Sequence, residues 1–383
     1  MRDVFITSDN IVSPLGLTSA ENFSQLSGLV SGIKMHEDST MSDVPFYASL
    51  FADLDGLVKD TDVNNYTKFE KLLITSISDA LKNSAVEASD KKTILIISST
   101  KGNVSLLETE KDAASISNKI SLHHSAKQVA AYFGFVNEPV VVSNACISGL
   151  LAMIMGMRLI QSGQYEHAVI AGADVISKFV LSGFQSFQAI SNESCKPFDE
   201  ARDGINLGEG AGTVIFSANQ AFSQGIKMTS GSVSNDANHI SGPSRTGEEL
   251  FQAINRAMKD AGFTVSDIDF ISAHGTATLY NDEMEAKAIT LAEMQSIPVN
   301  SLKGNYGHTL GAAGLIESIV CIHSLKENLV LPTIGFKQMG VTKPINVSNT
   351  LQKKALTNCL KTASGFGGCN AAIVISKELN SAL

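Results

Sequence analysis

The sequence predicts an α/β fold built from two related halves. Short runs rich in β-branched residues, such as residues 93–99 (TILIISS), alternate with longer segments of helical periodicity, such as residues 150–163. This alternation is typical of strands connected by helices that lie on a sheet. A polar stretch follows Ser217 and the pattern then starts again, so we predict an N-terminal half of residues 1–225 and a C-terminal half of residues 226–383.

The two halves share a local pattern. In each, a strand runs through a turn of small residues into a helix rich in small side chains, at VVVSNACISGLLAMIMGMRL and at PVNSLKGNYGHTLGAAGLIESIVCI. Both segments deliver a reactive side chain at the start of a helix. The identity between them is too low to prove a duplication by itself.

The composition suits a large globular protein and excludes several classes of partner. The chain has 383 residues, of which 44% are hydrophobic and 17% charged, enough for a sizeable core. Its formal net charge is −9 and it has no tract rich in lysine and arginine, so we expect neither nucleic acid nor a membrane surface as a partner. It has no apolar run of about 18 residues and no signal peptide, which favours a cytoplasmic protein.

The cysteines do not form a recognisable set. They are Cys146, Cys195, Cys321, Cys359 and Cys369. Their number is odd and no CxxC pair is present, which argues against both a disulfide framework and a zinc site. We expect all of them to be thiols.

Cys146 is the candidate nucleophile. It lies where an apolar strand turns into an apolar helix, and a helix N-terminus favours thiolate over thiol and can bind an oxyanion. The small neighbours Ala145, Ser148 and Gly149 leave room for a substrate. A buried structural cysteine would fit the same local pattern, so this segment alone leaves both interpretations open.

Two histidines and a lysine are candidate partners of this cysteine. His274 ends a short apolar run that is typical of a strand stopping at a cleft, and His308 lies in a glycine-rich segment where we expect it to open a helix. A helix start disfavours imidazolium, so we expect His308 to be neutral and to donate a hydrogen bond from its ring. Lys303 lies five residues before His308. The separations give no local metal-ligand motif, so we expect no metal.

A glycine-rich loop lies near the C-terminus, in TASGFGGCNAAIVIS. Gly365, Gly367 and Gly368 surround Phe366, so the backbone can adopt positive φ and turn N–H groups towards a ligand. The alternative is a hairpin turn with a core aromatic residue.

Together these motifs resemble, in order, the active-site signatures of the β-ketoacyl synthases of the thiolase-like superfamily. The resemblance rests on NACISG around Cys146, HGTAT from His274, KGNYGHTLGAAG from Lys303 through His308, and GFGGCN around Phe366. With IVSPLG (11–16) and PFDEARDGINLGEGAG (197–212) it covers nearly the whole chain. It is specific to elongating synthases with two catalytic histidines.

The resemblance implies a five-layered α-β-α-β-α fold, usually dimeric, and a role for each matched residue. Cys146 would take an acyl chain from the phosphopantetheine arm of an acyl carrier protein, with the N–H groups of Cys146 and Phe366 as oxyanion hole and no bound cofactor. His274 and His308 would stabilise the enolate formed when malonyl-carrier loses carbon dioxide, and the carbanion would attack the thioester to give a 3-oxoacyl product. Phe366 would act as a gate.

Further roles follow from the same resemblance. They are Lys303 as a catalytic residue, Asp282, Glu285 and Glu317 as its support, Phe184 in the acyl pocket, and Gly365 and Gly367 beside the gate. The partner in a dimer would be a second copy or a related ketosynthase.

Departures from the family pattern leave the pathway and chain length open. The stretch between Ser99 and Val140 is short, and Gln188 stands where relatives often carry an arginine that meets the carrier. We therefore expect either ordinary fatty acid synthesis or a specialised polyene, pigment or polyketide pathway. Lys68 and Lys71 are candidates for a basic docking patch, with a merely solvated helix face as the alternative.

Two other functions remain open from the sequence. A chain-length factor, the non-catalytic partner of a ketosynthase, would lack the nucleophile, whereas Cys146 is present. A biosynthetic thiolase would use a second reactive cysteine near the C-terminus, and Cys369 invites that comparison, although it stands where the family commonly has threonine.

Overall fold

The computed structural model describes residues 2–54, 65–110, 113–237 and 242–378. The strands are β1 (Phe5–Val12), β2 (Lys34–His36), β3 (Phe46–Ser49), β4 (Thr93–Ser98), β5 (Val140–Val142), β6 (His167–Asp174), β7 (Leu207–Gly208), β8 (Gly210–Ser217), β9 (Ile226–Asn235), β10 (Phe270–Ser272), β11 (Val299–Asn300), β12 (Leu329–Val330), β13 (Gln352–Lys353), β14 (Asn358–Gly365) and β15 (Cys369–Lys377). The α-helices are α1 (Ser19–Ser27), α2 (Lys68–Lys82), α3 (Leu106–Thr109), α4 (Ala113–Lys119), α5 (Leu122–Phe133), α6 (Ser148–Gln161), α7 (Lys178–Ser186), α8 (Glu248–Ala261), α9 (Leu279–Leu291), α10 (Lys303–Tyr306) and α11 (Ala313–Glu327).

The main sheet repeats one strand order twice. Within the described residues its order is β11-β10-β14-β15-β9-β1-β8-β6-β4-β5. β1 and β9 join only through Phe5 with Lys227 and Ile6 with Ile226, so the sheet divides there into halves of five strands. Each half has its first strand in chain order at this junction, then its fifth, fourth, second and third. The shared topology confirms the predicted pair of related halves.

Helices fill three layers around the two half-sheets. α6 and α11 lie between them, and most residues of both helices are buried because each helix is covered by sheet and helix. α2 and α5 cover the outer face of the N-terminal half-sheet, and α8 and α9 cover that of the C-terminal one. The predicted five-layered α-β-α-β-α fold is therefore confirmed. No helix in the described ranges is long and apolar enough to cross a membrane.

The two central helices touch backbone to backbone near their N-termini. A Cβ atom added to Gly149 would lie 2.7 Å from Leu315 N and 3.0 Å from Gly311 O. Gly314 faces Leu150 in the same contact. Because α6 begins just after Cys146 and α11 just after His308, this close approach brings the two motifs together.

Candidate active site

Cys146 lies in a tight turn between β5 and α6. Ala145 adopts φ 43°, which an L-residue rarely does, and the Ser148 hydroxyl stabilises the turn by accepting from Asn144 N–H (2.8 Å) and donating to Ala145 O (2.7 Å). The Cys146 sulfur is buried and points from this turn towards the C-terminal half.

His274 and His308 meet the sulfur from the other half. His308 Nε2 lies 3.0 Å from Cys146 Sγ, and the two imidazole centroids are 5.0 Å apart with the rings edge to face. One side-chain N or S atom from each of the three residues lies within 4.8 Å of the others. Residues far apart in the chain therefore form one compact cluster.

His308 does not open a helix, contrary to the prediction. It lies in extended backbone between α10 and α11, where its N–H donates to Asn206 O (2.7 Å) and its carbonyl accepts from Gly208 N–H (3.0 Å). β7 thus fixes the histidine in place. A 3₁₀ turn and the start of α11 follow.

Both imidazoles are neutral. Burial holds the pKa of His274 and of His308 well below the ordinary value, and the nearby Lys303 ammonium lowers both further. The neutral state predicted for His308 therefore has a different cause from the helix start that suggested it.

The surroundings of the sulfur favour a neutral thiol over the predicted thiolate. Burial raises the pKa of the Cys146 thiol to about 12, although Lys303 and the Phe366 N–H act in the opposite direction. Loss of water around the sulfur outweighs the favourable position before a helix. The resting site is a thiol beside a neutral imidazole.

A buried ionic cluster lies behind the histidines. Lys303 forms an ion pair with Glu317, and the other carboxylate oxygen of Glu317 lies 2.7 Å from Lys361 Nζ. Both lysine side chains are fully buried. Sequence analysis missed Lys361, although a lysine inside the otherwise uncharged segment NCLKTASG was the available signal.

Glu285 supports the His274 loop. Its carboxylate accepts from the N–H groups of His274 (2.8 Å) and Gly275 (2.5 Å) and from Asn281 Nδ2 (2.9 Å). Burial raises the pKa of Glu285, which these hydrogen bonds counteract. Its interaction with His274 is with the backbone.

Asp282 holds a neighbouring loop. It accepts from Phe198 N–H (2.7 Å) and lies 4.0 Å from Arg202 Nε. Burial raises the pKa of Asp282 to about 7. Asp282 therefore stabilises the loop of Phe198 and Arg202 and is not part of the sulfur–imidazole cluster.

Asp174 is a second residue that sequence analysis missed. At the end of β6 it accepts from Ser99 Oγ (2.6 Å), from Thr100 N–H (3.1 Å) and from Gly311 N–H (2.6 Å). It therefore ties the segment after His308 to the N-terminal half. An acid ending the apolar run HAVIAGAD was the signal.

Phe366 of the glycine loop, the predicted gate, lines the same cleft as the Cys146 sulfur. Phe366 is 41% exposed and stacks on Phe184 (centroids 5.8 Å) and edge-on to Phe187 (5.7 Å). Gly367 has φ 86°. A Cβ atom on Gly365 would lie 2.9 Å from Cys146 N, so only glycine permits the loop to approach the nucleophile.

A solvent-connected cleft of about 390 Å³ leads to these side chains. Its lining includes Cys146, His274, His308, Phe184, Phe366 and Gln188. Gln188 is exposed, so the position of the expected arginine lies where a partner could reach it.

Comparison with known proteins decides the family. The model of the β-ketoacyl synthase N-terminal domain matches residues 1–221, and that of the β-ketoacyl synthase C-terminal domain matches residues 226–337. The chain belongs to the β-ketoacyl synthase family. It is an enzyme, an acyltransferase of the condensing type, as the resemblance implied.

Individual relatives extend this likeness along the whole chain. A 3-oxoacyl-[acyl-carrier-protein] synthase 2 of Vibrio cholerae is 29% identical, with 98% of this chain and 99% of that protein covered. The ishigamide ketosynthase/chain length factor has a TM-score of 0.89 at 24% identity, covering 98% and 99%. A type II polyketide synthase acyl-carrier protein in complex with its ketosynthase gives 0.86 at 22% identity, covering 98% and 99%. The ketosynthase folds confirm the thiolase-like architecture.

Lys68, one of the two lysines predicted to dock a carrier protein, forms an ion pair within the ketosynthase itself. Lys68 Nζ lies 2.7 Å from both carboxylate oxygens of the buried Glu209, which also accepts from Phe51 N–H and Ile176 N–H. Lys68 therefore compensates a buried carboxylate. A docking role for Lys68 and Lys71 stays a prediction.

All five cysteines of the ketosynthase are free thiols, as predicted. Cys369 begins β15 directly after the glycine loop, where its single S–H can donate to Phe366 O (3.4 Å) or to Asn144 O (3.7 Å). Burial raises the pKa of Cys369 to about 11. These contacts give Cys369 a structural role in the loop.

Proposed function

We propose that this ketosynthase joins an acyl group carried on Cys146 to a malonyl unit, with loss of carbon dioxide, to give a 3-oxoacyl thioester. The supporting observation is the 3.0 Å contact between Cys146 Sγ and His308 Nε2, with His274 beside it, at the end of an open cleft. A nucleophile, a neutral base and a second neutral imidazole in contact are what this reaction needs.

Acyl transfer begins with a proton transfer from sulfur. As Cys146 attacks the incoming thioester, its proton passes to the neutral His308, which then gives that proton to the departing thiolate of the phosphopantetheine arm. The N–H groups of Cys146 and Phe366 stabilise the oxyanion, and the contact of Gly365 with Cys146 N supports this pairing. A resting thiol also avoids an exposed reactive anion between turnovers.

Condensation uses the two imidazoles as hydrogen-bond donors. When malonyl-carrier loses carbon dioxide, the enolate oxygen accepts from the ring N–H groups of His274 and His308, and the enolate carbon attacks the Cys146 thioester. The bond from carbon to Sγ then breaks, and the departing thiolate takes up one proton from solvent, which reaches it through the cleft. In this half-reaction the neutral His308 ring carries its proton on Nε2, whereas during acyl transfer it carries the proton on Nδ1. Lys303 supplies positive charge to the same region while both rings stay neutral.

The two halves divide this work. We propose residues 1–225 as the unit that supplies the nucleophile and residues 226–383 as the unit that supplies both histidines. The family models meet between residues 221 and 226, which supports that division.

The proposed partners are an acyl carrier protein and a second ketosynthase-like chain. Similar structures include a carrier in complex with its ketosynthase and a ketosynthase/chain length factor. A dimer of identical chains, a cytoplasmic location and the choice between fatty acid and specialised synthesis stay predictions. We propose no cofactor beyond the carrier's arm.

The alternative functions have weaker support. A chain-length factor does not need the contact of Cys146 with His308. For a thiolase, Cys369 would need a base, but the acceptors within reach of its thiol are two backbone carbonyls.

Intact-mass measurement after incubation with acyl-carrier thioesters tests the proposal. One acyl group is expected on Cys146, and addition of malonyl-carrier should release the 3-oxoacyl product. Cys146→Ala should lose both reactions by about 10³-fold or more while still decarboxylating malonyl-carrier. Undiminished condensation by this variant would refute the assignment.

A matched control separates the thiolase alternative. Cys369→Ser should keep acyl loading and condensation, whereas a thiolase would lose them. Condensation of acetyl-CoA without any malonyl donor would favour the thiolase.

A further inference from the structure

Lys361 is a fully buried lysine to which the reaction described above gives no role. Its ammonium donates to the carbonyls of Thr362 (2.8 Å), Ser272 (3.2 Å) and Ala273 (3.2 Å). It also lies 2.7 Å from Glu317 Oε2 as an ion pair. A buried ammonium is costly unless it is paired and hydrogen-bonded, and here every proton has an acceptor.

These contacts connect the segment that leads into His274 with helix α11. Ser272 ends β10 and Ala273 directly precedes His274, while Glu317 belongs to α11. Lys361, on β14, therefore joins the backbone before His274 to the helix behind the site. Its position lies beyond residues 226–337, the range matched by the C-terminal family model.

Lys361 also changes the charge of the buried cluster. Lys303 and Glu317 alone would form a neutral pair. With Lys361 on the other carboxylate oxygen, two cations share one anion and the cluster carries a net charge of about +1. Charge in a buried site acts strongly because little solvent screens it.

We propose that Lys361 is a positioning residue of this ketosynthase: by sharing Glu317, it leaves Lys303 as an incompletely compensated cation beside the imidazole pair. This rests on the proposed function. The positive charge stabilises the enolate that decarboxylation generates and keeps both rings as neutral donors. After burial and Lys303, Lys361 is a further cause that lowers the pKa of His308, and it lowers that of His274 as well.

Other titratable groups around the imidazoles come from several elements. Those in the described residues are Cys146 before α6, Asp174 on β6, Arg202 in the loop before β7, Asp282 and Glu285 on α9, Lys303 and Tyr306 on α10, Glu317 on α11, Lys361 on β14 and Cys369 on β15. Glu285 and Asp174 are held by backbone N–H groups, so their charge is compensated without Lys361.

The first test is Lys361→Met, which keeps the side-chain length and removes the charge. We expect kcat for condensation and for malonyl decarboxylation to fall by about 10- to 100-fold, with KM little changed. The acid limb of the kcat profile should move to higher pH, because the imidazoles become easier to protonate. Loading of Cys146 by intact mass should stay within about twofold.

Charge balance provides a rescue experiment. By charge, the cluster is +1 in the wild type, 0 in Lys361→Met, +2 in Glu317→Gln, and +1 again when both are combined. The double variant should regain part of kcat and return the acid limb towards the wild type. If Lys361 were only structural, the double variant would be no better than Lys361→Met, and that result would overturn the proposal.

Two controls complete the test. Lys354→Met removes a lysine that donates to Asp269 O away from the site, and it should leave the pH profile unchanged. If Lys361→Met fails to fold by circular dichroism, Glu317→Gln alone decides: its acid limb should move to lower pH, and an unmoved limb overturns the proposal. Wild-type enzyme that neither loads nor condenses would refute the proposed function itself.

Discussion

The two halves bring their reactive groups to the same place but surround them with different charges. The N-terminal half presents one sulfur, whose pKa is raised to about 12 by burial. The C-terminal half presents two neutral imidazoles backed by Lys303, Glu317 and Lys361. A nucleophile for which burial favours the uncharged form therefore faces a half that carries a buried ionic cluster.

The carboxylates differ in the same way. Asp174, in the N-terminal half, binds backbone N–H groups and a hydroxyl, whereas Glu317, in the C-terminal half, binds two lysines. Asp174 therefore anchors loops, whereas Glu317 partly neutralises the two buried lysines. Acyl transfer and decarboxylation should therefore respond differently to substitutions in the C-terminal half.

The largest expected effect comes from the histidines. His274→Gln should lower malonyl decarboxylation by about 10²- to 10³-fold while Cys146 still becomes acylated, because His274 is not the ring in hydrogen-bond contact with the sulfur. His308→Gln should lower both reactions, since its Nε2 lies 3.0 Å from Cys146 Sγ. Rates of loading by intact mass and of carbon dioxide release measure the two effects.

The outcome distinguishes separate from shared roles. Equal loss of loading in both variants would mean that the two imidazoles act as one unit in acyl transfer. The proposed separation between the rings would then be wrong.

Most of the site could be predicted because its reactive side chains follow strands or lie among glycines. Cys146, His274, His308 and Phe366 all have such neighbours, and the structure brings them to one cleft. Local sequence cannot reveal partners that meet only after folding. Lys361 meets Glu317 from another element, and the burial that raises the pKa of Cys146 exists only in the folded chain.

The longer elements of the fold could also be predicted from the sequence, whereas the shortest strands and the strand order could not. Periodicity indicates strands such as β4 and β8, which are fully buried runs, and the long helix α6. It does not indicate β7 or β11, each of two residues, which form only through distant pairing. Nor does it give the order of strands, because β1 pairs with β8 and β9 across long stretches of chain.

The protonation of the sulfur gives the next largest effect. A thiol with a pKa of about 12 should be alkylated by iodoacetamide at a rate that rises about tenfold per pH unit from pH 7 to 10. Peptide mass mapping assigns the modified residue, and Cys146→Ser provides the blank. A rate that levels off below pH 8 would show a resting thiolate. The N-terminal half would then present a charged nucleophile, contrary to the comparison drawn above.

The smallest effect concerns the contact that joins the two helices. Gly149→Ala should cost about 1–3 kcal/mol, because the added methyl group meets the backbone of Leu315 and Gly311. Gly314→Ala should cost less, since the nearest atom is the end of the Leu150 side chain, which can move. Gly183→Ala, in α7 with open space around it, should be neutral or stabilising by about 0.5–1 kcal/mol. Urea unfolding midpoints measure all three, and a Gly314→Ala variant as unstable as Gly149→Ala would mean that both halves are equally rigid at their contact.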